Sequence, residues 1–234
     1  MKKITTLLVL LISINLFSQE LTGEQLLEKA IEYHDPIGNW ETFNGELSVT
    51  MKTPKSDDRE SQIKINLPAE YFYVKANRGE NTTEYTVEKN KCTIGFNGKT
   101  PSAALKKEHK LSCERANLFK NYYTYLYGLP MKLKDKGTII HPKTERKTFK
   151  GKQYLILKVS YEKEVGKDTW YFYFNPKSYA MEIYQFFKDE SKNDGEYILL
   201  TEEETINGIK FPKKRAWYYN KDDGYLGTDF LSKK

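Results

Sequence analysis

Apolar and polar residues alternate with a period of two along much of the first hundred positions of this chain. In 46–51, for example, Leu47, Val49 and Met51 alternate with polar or charged neighbours. Such alternation is typical of a β-sheet with one face in water. Short turns, such as the one expected at Asn97–Gly98, connect these segments, which predicts an antiparallel meander. The strands predicted in this part of the chain are 46–51, 62–67, 71–75, 84–88 and 91–96.

The same period returns after residue 153, in a stretch that is rich in aromatic residues. Trp170 and Phe172 share one face of a predicted strand, and Met181 and Ile183 share one face of the next. Because aromatic residues occur on both faces of these strands, one interpretation is that helices cover one side and a ligand or cavity the other. The alternative is that the 18 tyrosines, which strands favour, lie half-exposed on an ordinary surface. The strands predicted here are 154–161, 168–174, 181–187, 197–205, 209–211 and 215–219.

Two segments have helical spacing instead. The first runs from Thr22 to His34, where Thr22 and Gln25 form a capping box and Pro36 prevents continuation. The second covers 112–127 and ends at a glycine. Both are amphipathic and need an apolar surface to lie on. The pattern therefore predicts a mainly β (α+β) fold, a curved antiparallel half-barrel of about 10–11 strands whose concave opening is covered by an N-terminal and a central helix.

The first eighteen residues have the layout of a secretory signal peptide. Lys2 and Lys3 precede an apolar run over 4–17, and a small residue stands at the expected cleavage point, Ser18–Gln19. The run is short for a membrane span. We therefore expect a signal peptide over 1–18, a single domain over 19–234, and a periplasmic or secreted protein.

The net charge of the chain and its distribution bear on which partners the protein can bind. The formal net charge is only +6, and acidic and basic residues are interspersed, which is typical of a solvated surface. We therefore expect no nucleic-acid partner, a monomer, and at most peripheral association with the cell envelope. Two polar segments are predicted to lie outside the sheet, 101–110 as an exposed connector and 220–229 as a surface turn.

The chain has two cysteines, Cys92 and Cys113. In an exported protein such a pair predicts a disulfide, which would stabilise the fold by about 3 kcal/mol in the chain-entropy model. The alternatives are two buried free thiols, or a reactive thiol with His109 as a nearby base.

Motifs for catalysis are lacking in the sequence. It has no nucleophile elbow, zinc-protease motif, phosphate-binding glycine loop or dinucleotide fingerprint, and none of its three histidines has a second one at ligand spacing. No metal or cofactor is therefore expected. The pair His34–Asp35 admits two interpretations, a general base held by a carboxylate or a simple helix end.

Six segments carry a resemblance to a known family: LTGEQLLEKAIEYH, YHDPIGNW, YLYGLPMKLKDKGT, VGKDTWYFYFNP, NPKSYAMEIYQFF and GIKFPKKRAWYYN. In these segments and in the order of its elements, the chain resembles the LolA-like lipoprotein-carrier superfamily, and more closely an exported family of that type, DUF6503. Similarity extends over nearly all of the chain after the signal peptide. It implies a strongly curved half-barrel that holds acyl chains in an apolar cavity, and thus a lipid or an acylated protein as partner.

We therefore predict a non-enzymatic carrier of an apolar or amphipathic ligand. Two alternatives stay open, a hydrolase that uses His34 and Asp35 and an envelope interaction module that adds a strand at the sheet edge. The residues expected to line the cavity are Trp40, Phe43, Leu47, Val49, Trp170, Phe172, Met181 and Ile183.

Overall fold

A computed structural model describes residues 20–232, so the predicted signal peptide and its cleavage point lie outside the described residues. The described chain forms twelve strands in one curved, fully antiparallel sheet, with three α-helices. The helices are α1 (Gly23–His34), α2 (Ala103–Glu108) and α3 (Cys113–Gly128). The strands are β1 (Asn44–Thr53), β2 (Ser56–Asn66), β3 (Tyr71–Arg78), β4 (Asn81–Glu88), β5 (Lys91–Phe96), β6 (Thr138–Phe149), β7 (Lys152–Tyr161), β8 (Thr169–Phe174), β9 (Met181–Phe187), β10 (Glu196–Ile206), β11 (Ile209–Tyr219) and β12 (Tyr225–Ser232).

The strand order explains why a helix crosses the sheet. It runs β5-β4-β3-β2-β1-β12-β11-β10-β9-β8-β7-β6, so the first and last strands pair in the middle and β5 and β6 form the two edges. The segment between β5 and β6 contains α2 and α3 and has to pass from one edge to the other. The shortest route lies across the hollow side of the sheet. Connectivity therefore places α3 over the concave face.

Helix α1 begins and packs as its sequence predicts. Thr22 and Gln25 form the capping box, and Leu26, Leu27 and Ala30 are fully buried against the sheet. The helix contacts β6, β7 and β11. It therefore covers one end of the concave face while α3 crosses the rest.

The main core lies between these two helices and the sheet. A second, smaller cluster of aromatic and aliphatic side chains lies on the opposite face of the sheet. Aromatic residues on both faces of the later strands therefore fill two separate clusters. Members of the second cluster are Phe149, Tyr154, Ile156, Tyr171, Tyr173, Ile183 and Leu199.

Two of the twelve strands were not expected from the sequence. The polar, proline-containing segment of β6 is an edge strand, where Pro142 and charged side chains are tolerated because one side has no partner strand. The prediction of a surface turn over 220–229 is wrong in its second half, since β12 is a central strand that contains Asp229. The two strands expected over 209–211 and 215–219 are one continuous strand, β11.

The central connection is more ordered than expected. Part of the predicted connector 101–110 forms the short helix α2, capped by Ser102. The predicted disulfide is confirmed, since Cys92 on β5 is bonded to Cys113, the first residue of α3, with the Cα atoms 5.9 Å apart. The start of the crossing helix is thereby tied covalently to the edge of the sheet.

Candidate ligand-binding site

Helix α3 meets the sheet through aromatic rings along its whole length. Phe119, near its start, stacks on Tyr85 of β4 with ring centroids 5.6 Å apart. Tyr125, near its end, makes an edge contact at 5.7 Å with Trp170 of β8. Such pairs are worth about 0.5–1.5 kcal/mol each beyond the area they bury. The helix is thus held above the sheet, and spaces remain along both of its flanks.

The first space, here called the aromatic cavity, lies between α3 and strands β7, β8, β9 and β11. Its volume of about 490 Å³ falls in the range of small-molecule sites. Two aliphatic side chains also line the cavity, Leu126 and the 56% exposed Val165. The aromatic side chains that line it are Tyr122, Tyr125, Tyr161, Trp170, Phe186 and Trp217.

The rings of the aromatic cavity hold one another in place. Trp170 stacks on Phe186 with centroids 4.9 Å apart, and the hydroxyls of Tyr125 and Tyr161 are hydrogen-bonded to each other. Burial raises the pKa of Tyr161 to about 12, against the opposing effect of its hydrogen bond with Tyr125, and burial also raises the pKa of Tyr125. Both hydroxyls are therefore neutral at physiological pH. The lining is therefore uncharged along these four rings and preorganised.

A second space, here called the apolar groove, continues from the first along α3. It has a volume of about 390 Å³ and is lined by Met51, Leu118, Phe119 and Tyr122 together with two arginines. Leu118 is 68% exposed, so it lies at the open side of the groove. Because Tyr122 lines both spaces, they are neighbours.

Beneath Tyr122 the concave face carries buried polar groups. Tyr122 donates a hydrogen bond of 3.3 Å to Oδ2 of Asp229, while Oδ1 of Asp229 and Nε1 of Trp217 have no hydrogen-bond partner among the described residues. Burial raises the pKa of Asp229, and the nearby charge of Arg215 opposes that shift. Arg215 donates to the carbonyl of Pro212 at 3.0 Å. The floor of the site is thus polar and fully enclosed, whereas its walls are apolar.

Of the eight residues expected to line a cavity, Trp170 lines the aromatic cavity. Phe172 is completely buried beneath it in the main core. Met181 is also in that core, on β9. The remaining four residues of the main core, which pack away from the aromatic cavity, are Trp40, Phe43, Leu47 and Val49.

The expectation that Met181 and Ile183 share a face is wrong. Tyr173 pairs with Ile183 and Phe174 pairs with Met181, so two steps on β9 match one step on β8. Glu182 is the extra residue of this β-bulge, which reverses the side that each neighbouring side chain faces. As a result Ile183 packs in the second cluster, on the face away from α1 and α3.

The pair His34–Asp35 has a structural role. Nδ1 of His34 lies 2.8 Å from the carbonyl of Lys210, and Nε2 accepts a hydrogen bond of 2.9 Å from the backbone N–H of Met181. Asp35 accepts hydrogen bonds from the backbone N–H groups of Asn39 and Trp40, each at 2.8 Å. Both ring nitrogens are therefore occupied by backbone groups, which leaves neither to act as a general base and removes the basis of the hydrolase hypothesis.

Several residues of the aromatic cavity escaped sequence reasoning. Trp217 is 47 positions away from Trp170 in the chain, and both contact α3 only because that helix crosses β8 and β11. Phe186 was expected on the face opposite Met181, and the bulge brings both to the main core. The tyrosine-rich sequence of α3 was the one feature that could have pointed to the cavity. Tyr122 and Tyr125 lie on either side of the buried face of this helix.

Two features are absent from the described part of the chain. Among residues 20–232, no group of three or more His, Cys, Asp or Glu side chains is placed to hold a metal ion. None of the helices in this range is long and apolar enough to cross a membrane.

Comparisons with known proteins identify the family. The model of the Family of unknown function (DUF6503) matches residues 2–233, so the chain belongs to that family. A LolA superfamily protein from Nitrosomonas europaea has a similar structure, with a TM-score of 0.52 and 13% identity over 91% of this chain and 92% of that one. The fold is therefore LolA-like.

Two further solved structures align less closely. A putative outer membrane lipoprotein-sorting protein domain from Vibrio parahaemolyticus has a TM-score of 0.49 and 11% identity, covering 90% of this chain and 92% of that one. A DUF1329 family protein from Desulfovibrio piger has a TM-score of 0.48 and 8% identity, covering 89% and 90%. The search of curated proteins finds no match.

Proposed function

We propose that this DUF6503 protein is an exported, non-enzymatic carrier that binds a single apolar chain along α3, in the aromatic cavity and the apolar groove. The observation that carries the proposal is the row of uncharged rings from Tyr122 to Trp170 around a space of about 490 Å³. The signal-peptide pattern over 1–18 supports export, and we take 19–234 to act as one domain.

The energetics suit an alkyl or acyl chain. Each methylene that leaves water for such a site contributes about 0.8 kcal/mol, so a chain of ten or more carbons suffices for binding even after the cost of ordering it. The rings of the site are already fixed by contacts such as that between Trp170 and Phe186, so binding orders few protein groups. A polar or rigid ligand would gain little from these walls.

Enclosure of the chain depends on α3. The helix forms one wall of both spaces, and the exposed Leu118 and Val165 stand where a chain would enter. The likeness to the Nitrosomonas LolA superfamily protein is in keeping with a carrier of acylated molecules. We therefore name a lipid or an acylated protein as the partner.

The three tryptophans provide a direct test, because Trp170 and Trp217 line the aromatic cavity and Trp40 does not. Bromine quenches tryptophan fluorescence on contact, so titration with the neutral probe ω-bromoundecanol reports binding. We expect saturable quenching in the wild type and in Trp40→Phe, and its loss in the double variant Trp170→Phe/Trp217→Phe. Quenching that depends on Trp40 alone, or none at all, would rule out the proposed site.

A second measurement addresses the native ligand. Purified mature protein is analysed by native mass spectrometry, followed by lipid extraction under denaturing conditions. We expect a co-purified species that carries an alkyl or acyl chain and that ω-bromoundecanol displaces. A bound molecule without such a chain would contradict the proposal.

A further inference from the structure

We propose that the ligand's polar end is an anion, a carboxylate or a phosphate, held by Arg59, Arg78 and Arg115 beside the start of α3. This inference rests on the proposed function for the apolar chain and adds the chemistry of the headgroup. Its basis is a third space, here called the arginine cavity. No sequence motif predicted this space.

The arginine cavity lies between the first turns of α3 and the concave face of β2 to β5. Its volume is about 500 Å³. The three arginines reach it from three different elements, Arg59 from β2, Arg78 from β3 and Arg115 from α3. Arg59 and Arg78 are cross-strand partners, so their side chains leave the sheet on the same face.

Two of the guanidinium groups converge on one ring. The Cζ atoms of Arg59 and Arg115 lie 5.5 and 5.8 Å from the centroid of Phe119. The two like charges repel each other, and an anion between or beside them would relieve that repulsion. Among residues 20–232, no carboxylate oxygen lies within 4 Å of the guanidinium nitrogens of either arginine or of Arg78.

Donors in the arginine cavity are left without acceptors. Nε of Arg59 is buried and has no hydrogen-bond partner within the described part of the chain, and the same is true of the hydroxyl of Tyr85, which is almost fully buried. The hydrogen bond that Arg59 does make, from Nη2 to the hydroxyl of Tyr123 at 3.3 Å, orients its fork. A guanidinium fork with free donors matches the two oxygens of a carboxylate or phosphate.

Other charged groups at the arginine cavity do not cancel its charge. Asp57 and Glu80 also line it, and both are exposed to water, as are Arg78 and Arg115. His109 lines it as well and stacks on Phe96 with centroids 4.3 Å apart. Counting the three arginines against the two carboxylates leaves one net positive charge, and the buried donor among the arginines is Nε of Arg59.

The arginine cavity is continuous with the proposed path of the chain. Arg59, Arg115 and Phe119 line both this cavity and the apolar groove, and Tyr122 links the groove to the aromatic cavity. Arg115 and Tyr125 are ten positions apart on α3, which corresponds to about 15 Å along the helix axis. An anionic amphiphile with an extended chain of about twelve carbons therefore spans from the arginines to the tryptophans.

The test compares two probes that differ only in the headgroup. ω-Bromoundecanoate carries a carboxylate and ω-bromoundecanol does not, and both place bromine at the far end of the chain. We expect the wild type to bind the carboxylate about tenfold more tightly at pH 8, as read from quenching of Trp170 and Trp217, because charged hydrogen bonds of this kind are strong. Arg115→Gln and the double variant Arg59→Gln/Arg115→Gln should remove that preference, and titration of the same variants with the alcohol measures separately how far each change alters binding of the chain.

Three controls distinguish loss of the headgroup site from a general loss of charge, from unfolding and from binding of a free anion. Arg146→Gln, an exposed arginine on β6, should keep the full preference, and Arg59→Lys with Arg115→Lys should keep part of it. Circular dichroism checks that each variant is folded. Inorganic phosphate at millimolar concentration should compete only weakly with the carboxylate probe, whereas full displacement by phosphate alone would show a site for a free anion and overturn the headgroup assignment.

Failure of this inference is distinguishable from failure of the proposed function. Equal affinity for acid and alcohol in the wild type, with strong quenching by both, would remove the headgroup site and leave the chain site intact. Absence of quenching by either probe would remove both.

Discussion

Arg215 on β11 and Asp229 on β12 are direct cross-strand partners on the concave face, and each is at most 2% exposed. They do not form an ion pair within 4 Å, and Nε of Arg215 and Oδ1 of Asp229 both lack a hydrogen-bond partner in residues 20–232. Arg215 instead lies over the ring of Tyr127, with Cζ 3.9 Å from its centroid. Two opposite charges are thus buried side by side beneath α3, and each has one side-chain atom without a hydrogen-bond partner among the described residues.

The first prediction concerns removal of one member of this pair. Arg215→Met should lower the free energy of unfolding by about 3–5 kcal/mol, because it leaves the carboxylate of Asp229 buried without a compensating charge. The double variant Arg215→Met/Asp229→Asn should lose less than the sum of the two single changes. Urea unfolding of all four proteins measures the coupling, and strictly additive effects would show that the two groups do not interact.

The second prediction concerns the pH dependence that Asp229 causes. Burial raises its pKa in the folded protein above the value of about 3.9 in the unfolded chain. Between those two values the folded protein holds more protons than the unfolded chain, so stability falls as pH rises through this window. Asp229→Asn should flatten that part of the profile, as measured by melting temperature from pH 3.5 upward, and an unchanged profile would contradict this assignment.

The third prediction concerns His34, whose pKa is lowered mainly by burial. Below about pH 6.5 the unfolded chain binds a proton at this residue that the folded protein does not. Its contribution to stability is therefore present above that pH and is lost as pH falls towards the folded pKa, the opposite sign to that of Asp229.

His34→Ala should also cost about 2–4 kcal/mol at neutral pH, since it leaves the N–H of Met181 and the carbonyl of Lys210 unpaired. His34→Gln can bond both groups and should recover part of the loss. Denaturant unfolding at pH 5 and pH 8 measures both effects, and a variant as stable as the wild type at pH 8 would contradict the structural role.

The fourth prediction concerns the bond between Cys92 and Cys113. Their separation of 21 positions corresponds to about 3 kcal/mol in the chain-entropy model. Cys92→Ser/Cys113→Ser should lower the melting temperature and speed amide exchange in the first turns of α3, because the bond ties that helix to β5. Reduction of the wild type should cause a similar shift, and the reduced double variant serves as the control that shows no further change.

Much of the fold follows from local patterns in the chain. The capping box of Thr22 and Gln25 and the alternation around Leu47 and Val49 depend on residues a few positions apart, so the elements they define are readable without any tertiary contact. The antiparallel arrangement follows from short turns between these segments. A disulfide between the cysteines follows from their number and the compartment that the first eighteen residues predict.

The binding site depends on contacts between distant parts of the chain. The β-bulge in β9 decides whether Ile183 faces the helices. This bulge is defined only by the pairing of β9 with β8. Asp229 lies in a central strand because β12 closes the sheet between β1 and β11, although its own segment is polar and contains glycine.

The sequence alone therefore determined the helices α1 and α3, ten of the twelve strands, their antiparallel arrangement and the apolar character of one face. Tertiary structure alone decided which rings meet, because β5 and β6 become opposite edges and the chain between them has to cross the concave face. That crossing brings Tyr122 to Trp217 and Arg115 towards Arg59, pairs whose members are 95 and 56 positions apart in the chain. Strand pairing and edge position arise from interactions across the whole sheet, which local periodicity does not encode.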